Sequence, residues 1–357
     1  MSTRAWPTTI GWGLFCSASW TWCIGMFLPF ILLEQFGWPG FLAFLIPNVV
    51  GCALFGYLLT PARQQFVRDR CGALCLWFSL ATLLYQAFFA GWMIEPVGAI
   101  AVIICGLALG RFLGDSGWLR LAVLVTIASA LTIDWTLLPA LWDIPVTGTK
   151  PADSLLSLVP AIALGFLACP YLDLTFHRAL ERSPSRHAFL VFGLVFAATL
   201  LGVATFWESA RACPRFGTAL TLLWGCQLSF TIGAHAREGW TDTRLRSRQI
   251  LVVWVLLVGL ALGWLTRTNP TAWWGSGQET YLRLLVLYGL VFPYLLLLRL
   301  RGIPNWLITI TILASLPFFE MGFMQNRTDT LFVPIGLLLV LLATSMVKTA
   351  WKDRSHP

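Results

Sequence analysis

The sequence predicts an all-α polytopic membrane protein with about twelve transmembrane helices, and three observations carry that prediction. Of its 357 residues, 58% are hydrophobic and only 11% charged, where a soluble domain carries about 25% charged. The apolar residues form unbroken runs, such as VGAIAVIICGLALG (97–110) and LVVWVLLVGLALGWL (251–265). A bilayer core about 30 Å thick requires about 20 such residues per helix. Third, the density of Lys and Arg alternates from one connection to the next, as spans of alternating direction require.

The expected spans are 9–34, 39–60, 72–94, 97–113, 119–141, 154–177, 187–207, 216–235, 249–266, 281–298, 303–319 and 330–348. The connections are too short for a soluble domain. The opening MSTRAWPTTIGWG lacks the basic, apolar and small-residue order of a cleaved signal peptide, so the first apolar stretch reads as the first transmembrane helix. With the N-terminus in the cytoplasm, Lys150, Arg211, Arg215, Arg267, Arg283 and Arg327 fall outside, which leaves 18 of the 24 Lys and Arg residues inside. Both termini are therefore expected to be cytoplasmic, in a bacterial inner membrane. The net charge of +8 is read as an orientation signal, which removes nucleic acid as a partner and leaves the bilayer and a small solute.

Six of the nine cysteines (Cys16, Cys23, Cys52, Cys105, Cys169 and Cys226) lie in apolar runs, and none forms a C-x-x-C pair. They read as small packing residues, with no zinc site or disulfide framework. His177, His187, His235 and His356 fall at cytoplasmic ends or tails without metal-ligand spacing, so no metal and no cofactor are expected. Trp38, Trp118, Trp207, Trp240, Trp273 and Trp274 stand near span ends, as an interfacial belt would place them. Asn326-Arg-Thr328 matches a glycosylation sequon on the outer side.

Two segments echo each other. GMFLPFILLE in span 1 carries Gly25, Pro29 and Glu34, and GFLACPYLD in span 6 carries Gly165, Pro170 and Asp173. Each has a Gly four or five residues before a Pro, an aromatic directly after it, and then an acid. The prolines stand 141 residues apart, a separation of five spans, so the copies run in opposite directions. Proline removes a helix hydrogen bond and glycine weakens the helix further. Breaks in corresponding positions of two halves point to a binding site near mid-membrane.

SASWTWCIGMFLPFILLEQFGWPGFLAFLIPNVVGCALFGYLL (17–59) resembles the first two core helices of sodium/solute symporter-like proteins of the LeuT fold, in the amino acid-polyamine-organocation superfamily. The likeness lies in small residues around an interrupted first helix, a G-W-x-G junction, and Pro47, Asn48 and Gly51 in the second helix. PYLDLTFHRALERSPSRHA (170–188) resembles the sixth core helix and its loop. The resemblance implies a 5+5 inverted repeat over 1–150 and 151–301, with two peripheral helices and a tail over 302–357. It implies a secondary active transporter, and no enzyme, moving a small polar or organic solute by alternating access with sodium or proton coupling. The eighth core helix departs from the family: Ser229 and Thr231 are separated by Phe230, and residues i and i+2 do not share a helix face. That leaves sodium coupling open.

The expected solute-site residues are Trp20, Trp22, Gly25, Pro29, Gly165, Cys169, Pro170 and Gln227. The expected gate or coupling residues are Asp134, Asp173, His177, Ser229 and Thr231, because an intramembrane carboxylate costs at least about 2.5 kcal/mol and is placed with a partner or a cavity. Asp173 has an alternative reading as an interfacial ion pair with Arg178, Arg182 or Arg237. Asn48 and Gln227 have one as interhelical hydrogen-bonders. Among other functions, a major-facilitator carrier would need G-x-x-x-D-R-x-G-R where this chain has QQFVRDRCGAL. A membrane enzyme on lipid-linked substrates would need paired outer acids, where Glu95, Asp143, Glu208 and Glu320 are scattered. A non-transporting sensor derived from a transporter remains the third reading.

Overall fold

A computed structural model describes residues 5–133, 141–142, 144–206, 217–240, 246–271 and 275–354. Among these the chain is all helix, with no strand. In order the helices are α1 (Ala5–Trp20), α2 (Cys23–Leu58), α3 (Pro61–Met93), α4 (Pro96–Phe112), α5 (Asp115–Thr132), α6 (Ala152–Ala168), α7 (Leu174–Arg182) and α8 (Ala188–Ala204). There follow α9 (Thr218–Trp240), α10 (Arg246–Thr268), α11 (Gly277–Val286), α12 (Phe292–Leu300), α13 (Asn305–Phe323) and α14 (Phe332–Arg354). Seven described stretches are long and apolar enough to cross a membrane: 23–58, 61–93, 152–172, 248–268, 277–300, 305–323 and 328–347. Large apolar side chains such as Val97, Phe112, Leu131 and Leu194 point outward, uncovered by protein. This is the architecture of an all-α integral membrane protein.

Span 9–34 is interrupted as expected, but not near Gly25–Pro29. α1 stops at Trp20, Thr21 and Trp22 are non-helical, and α2 restarts at Cys23. The interruption thus precedes Gly25 and Pro29, which sit inside α2. Pro29 lacks the donor that would reach the carbonyl of residue 25, yet α2 runs through it with helical geometry. The second expected break falls as drawn from the sequence: α6 ends at Ala168, Cys169–Leu172 tightens into a 3-10 turn, and Asp173 is extended before α7.

α2 itself folds back at Gly37, the one non-helical position inside it, with φ 63° and ψ −151°. Only glycine adopts this conformation without strain. A side chain there would also collide with the Pro145 carbonyl, which accepts the Trp38 N–H at 3.2 Å. Gly37 and Trp38 therefore pin the reversal to the 145–150 segment.

Glycines set the closest helix approaches, as small residues do where lipid supplies no hydrophobic drive between helices. Gly91 on α3 faces the Leu260 carbonyl, and Gly259 and Gly263 on α10 face the Leu84 and Phe88 carbonyls. Gly106 on α4 faces the Ser229 carbonyl, and Gly233 on α9 faces the Gly106 carbonyl. The most extensive pairings are α3 with α10 and α4 with α9, then α1 with α8, α2 with α8 and α2 with α6. Trp118 corrects the interfacial-belt expectation. It is fully buried, stacked edge-on to Phe15 and Phe230, because the α4–α5 turn folds it inward against Gly233.

Candidate functional site

A broken helix leaves backbone groups that must find partners, and here neighbouring helices supply them. At the first break the Trp22 indole N–H donates to the Ser19 carbonyl at 2.7 Å. The Thr231 hydroxyl donates to the Ala18 carbonyl at 3.3 Å. Gln86 on α3 accepts the Cys23 N–H through Oε1 at 3.2 Å, and the Tyr281 hydroxyl donates to the Cys23 carbonyl at 3.2 Å. The Trp20 indole N–H donates to Asn48 Oδ1 at 2.8 Å. The stretch is thus held open by side chains from three other helices and from the far part of α2.

Gln86 is completely buried, so Gln86→Leu removes the side-chain acceptor of the Cys23 N–H and leaves that donor in an apolar site. The expected loss is about 1–3 kcal/mol. Labelling of the buried thiols of Cys16, Cys23 and Cys52 during thermal unfolding measures it. An unchanged unfolding temperature would mean that Gln86 does not hold the break.

The second break is capped from within. Asp173 Oδ1 accepts the Thr175 N–H and the Thr175 hydroxyl, each at 2.7 Å, an N-cap on α7. The Thr175 hydroxyl also lies 3.1 Å from the Ser19 hydroxyl, and this contact joins the two breaks directly. The other carboxylate oxygen, Oδ2, has no hydrogen-bond partner among the described residues and lies 3.8 Å from His235 Nε2. His235 Nδ1 meets the Ser79 hydroxyl at 3.2 Å. Asp173 and His235 are both fully buried.

Between the breaks lies a narrow cavity of about 30 Å³. Its walls are Trp20, Trp22, Ile24 and Leu28; Ala161, Ile162, Gly165, Phe166 and Cys169; Leu285, Tyr288 and Gly289; and Phe319 and Phe323. None of these side chains is charged. One polar group on that wall has a specific origin. Leu287–Val291 forms a π-turn in which the Phe292 N–H bonds to the Leu287 carbonyl, and residue 293 is proline. The Tyr288 carbonyl therefore loses both helical donors, and the Cys169 thiol donates to it at 3.3 Å. A Cβ on Gly165 would sit 2.8 Å from the same carbonyl, so glycine is what lets α6 approach this turn.

At the arginine-rich end of the bundle a charged layer covers this core. Arg178 on α7 donates to Glu238 at 2.8 Å and to Asp115 at 2.8 Å, and Arg237 donates to Asp115 at 3.0 Å and to the Leu113 carbonyl at 2.7 Å. Arg68 pairs with Glu181, whose carboxylate also accepts from Gln64 at 3.1 Å. At the opposite end Arg267 bonds Glu95 at 2.5 Å and Arg283 bonds Glu320 at 2.6 Å. Lys150 pairs there with Asn326, and burial lowers its ammonium below the usual range.

Of the expected site residues, Trp20, Trp22, Gly165 and Cys169 line the cavity. Pro170 lies one position beyond, in the 3-10 turn. Gly25 instead faces Leu200 and Phe196 on α8, and Pro29 is buried in α2 beside the lining residue Leu28 without lining the cavity itself. Gln227 reaches the Ser129 hydroxyl on α5 at 2.8 Å, a helix-to-helix bond. Ser229 and Thr231 bond different helices, through the Val102 and Ala18 carbonyls. His177 donates from Nε2 to the Tyr171 carbonyl at 2.9 Å and packs on Phe55. Asp134 lies outside the described residues.

Two expectations are corrected. Asp173 makes no interfacial pair with Arg178, Arg182 or Arg237; Asp115 takes all three, and Asp173 lies in the helix break. His235 is not at an exposed end either, because α9 continues to Trp240 and so carries position 235 into the core. Gln86, Tyr281, Tyr288 and Ser79 were missed as site residues. A lone glutamine inside LATLLYQAFFAG was the available signal for the first, whereas the tyrosines gave none. Comparison of the sequence with protein-family models and with curated proteins finds no match.

Proposed function

We propose that this chain is a secondary active transporter of LeuT-like architecture, with twelve spans and both termini in the cytoplasm. The first span is α1 with the part of α2 before Gly37, and the second is the remainder of α2. The sixth span is α6 with α7, and the tenth is α11 with α12. The observation that carries this reading is that the first and sixth spans are both interrupted, bonded to each other through Ser19 and Thr175, and flank one cavity.

The pairing pattern supports an inverted repeat of five. Adding five to span numbers converts the pair three–nine (α3 with α10) into eight–four (α9 with α4). It likewise converts one–seven (α1 with α8) into six–two (α6 with α2). All four pairs are extensive, and a fold without the repeat has no reason to match them. Spans eleven and twelve, α13 and α14, lie outside the repeat, although Phe319 and Phe323 of α13 help to close the cavity.

The cavity favours a small, uncharged organic solute with apolar or aromatic surface. Its walls offer rings and aliphatic side chains, and the backbone groups at the first break are already bonded by Gln86, Tyr281, Thr231 and Trp22. A charged solute would find no counter-charge among the lining residues. Alternating access then amounts to opening one charged layer while the other stays closed.

The test is solute-induced current and uptake in proteoliposomes, screening small uncharged aromatic and aliphatic solutes with and without sodium and proton gradients. A solute-dependent signal that Gly165→Leu removes, in protein that still unfolds cooperatively, is the expected result; the leucine both fills the cavity and presses on the Tyr288 carbonyl. No signal from folded wild-type protein with any solute or gradient would sink the transport reading.

A further inference from the structure

We propose that Asp173 and His235 form a proton-binding site whose occupancy sets how α7 sits against α9. As a coupling step this rests on the transport reading; as a proton site it does not. The two side chains approach from different elements, the second break and the scaffold helix α9. Each presents to the other an atom, Oδ2 and Nε2, that has no hydrogen-bond partner among the described residues. Their 3.8 Å separation is too long for a hydrogen bond and too short to hold a water between them.

One proton taken from water changes the pair from net −1 to neutral. Shared between Oδ2 and Nε2, it makes a charge-assisted hydrogen bond of about 2.7–2.9 Å, so the gap shortens by about 1 Å. Asp173 is the N-cap of α7 through Thr175, so the pull is delivered to the start of that helix. Five residues on, Arg178 ties α7 to Glu238 on the same α9. The pair therefore lies at the pivot of a helix whose far end is latched into the charged layer. On the other side the Trp22 indole packs edge-on to His235 at 5.8 Å between centroids, and Trp22 lines the cavity, which links proton site and solute site through one ring.

The surroundings favour a proton over a metal cation. Besides His235, the titratable groups within electrostatic reach of Asp173 among the described residues include the thiols of Cys16, Cys52, Cys75 and Cys169, the Tyr288 phenol and the Glu238 carboxyl. Thiols and imidazole are poor ligands for hard cations such as sodium, which select oxygen. The nearby hydroxyls of Ser19, Thr175 and Ser79 are already engaged. Among the described residues His235 is the only ionic partner of Asp173 within 4 Å.

The experiment is infrared difference spectroscopy of the full chain in lipid nanodiscs, titrated across about pH 5–8 without any solute, reading the stretching band of protonated carboxyl groups. A titrating band is expected that Asp173→Asn removes, asparagine keeping the N-cap so that the fold survives. His235→Gln should move its midpoint by about one pH unit, because the midpoint belongs to the pair. Sodium chloride in place of choline chloride should leave it unmoved. A band that persists in Asp173→Asn, a midpoint indifferent to His235→Gln, or a midpoint displaced by sodium would overturn the proposal. Because no solute is present, a positive titration together with absent transport rejects the transport reading and leaves the proton site standing.

Discussion

Arg178→Met lowers stability by about 3 kcal/mol and loosens the arginine-rich end. The Arg178 side chain is only 10% exposed and serves two carboxylates at once, Glu238, 13% exposed, and Asp115, 34% exposed. Removing one partner from a buried pair costs about 3–5 kcal/mol, because the remaining charge stays desolvated. The lower limit applies here, since Asp115 is partly solvated and keeps Arg237. Arg178→Lys should recover part of the loss, as an ammonium retains the charge but cannot reach both carboxylates with a planar fork. Combining Arg178→Met with Glu238→Gln should cost less than Arg178→Met alone, since the buried carboxylate is gone. Thermal unfolding followed by labelling of the buried thiols reads all three variants. A loss below about 1 kcal/mol for Arg178→Met would place the pair among weak surface bridges.

Gly263→Val separates α3 from α10 and costs about 3 kcal/mol. A Cβ at 263 would fall well inside contact distance of the Phe88 carbonyl and 2.8 Å from the Trp92 nitrogen. Both are helix backbone atoms, which cannot swing aside as a flexible side chain can, so the helices must part. Overpacking costs about 1–3 kcal/mol where side chains can adjust, and a backbone obstacle belongs at the upper end. Helix propensity runs the other way, since replacing a helical glycine by alanine gains about 1 kcal/mol where space is free. Gly72, on the same α3 with nothing near its Cβ position, isolates that gain: Gly72→Ala should stabilise while Gly263→Val destabilises. Equal unfolding temperatures for Gly263→Val and wild type would show that glycine contact does not set this helix spacing.

The site was legible in the sequence to different depths. Trp20, Trp22, Gly165 and Cys169 could be placed from the echo between GMFLPFILLE and GFLACPYLD, because proline and glycine act locally on backbone geometry. The same local rule misplaced the first break, which falls at Thr21–Trp22, where no proline or glycine marks it. What opens the chain there is a set of partners distant in sequence: Gln86 and Thr231 each bond a backbone group that an unbroken helix would have paired, and Tyr281 bonds the Cys23 carbonyl beside them. The Tyr288 carbonyl, released from its helix and taken up by the Cys169 thiol, was likewise invisible, because it depends jointly on Pro293 and on how the π-turn meets Cys169.

Asp173 shows where the boundary falls. The sequence by itself determined that the chain is an all-α membrane protein and that span 6 breaks near Pro170. Hydrophobic run length and proline geometry are properties of consecutive residues and need no neighbours. Only the tertiary structure decided what the carboxylate faces, because Asp115 and Glu238 claim the arginines and α9 carries His235 into the core beside it. An ionisable group answers to charges and solvent within a few ångströms, and those are set by which helices pack together.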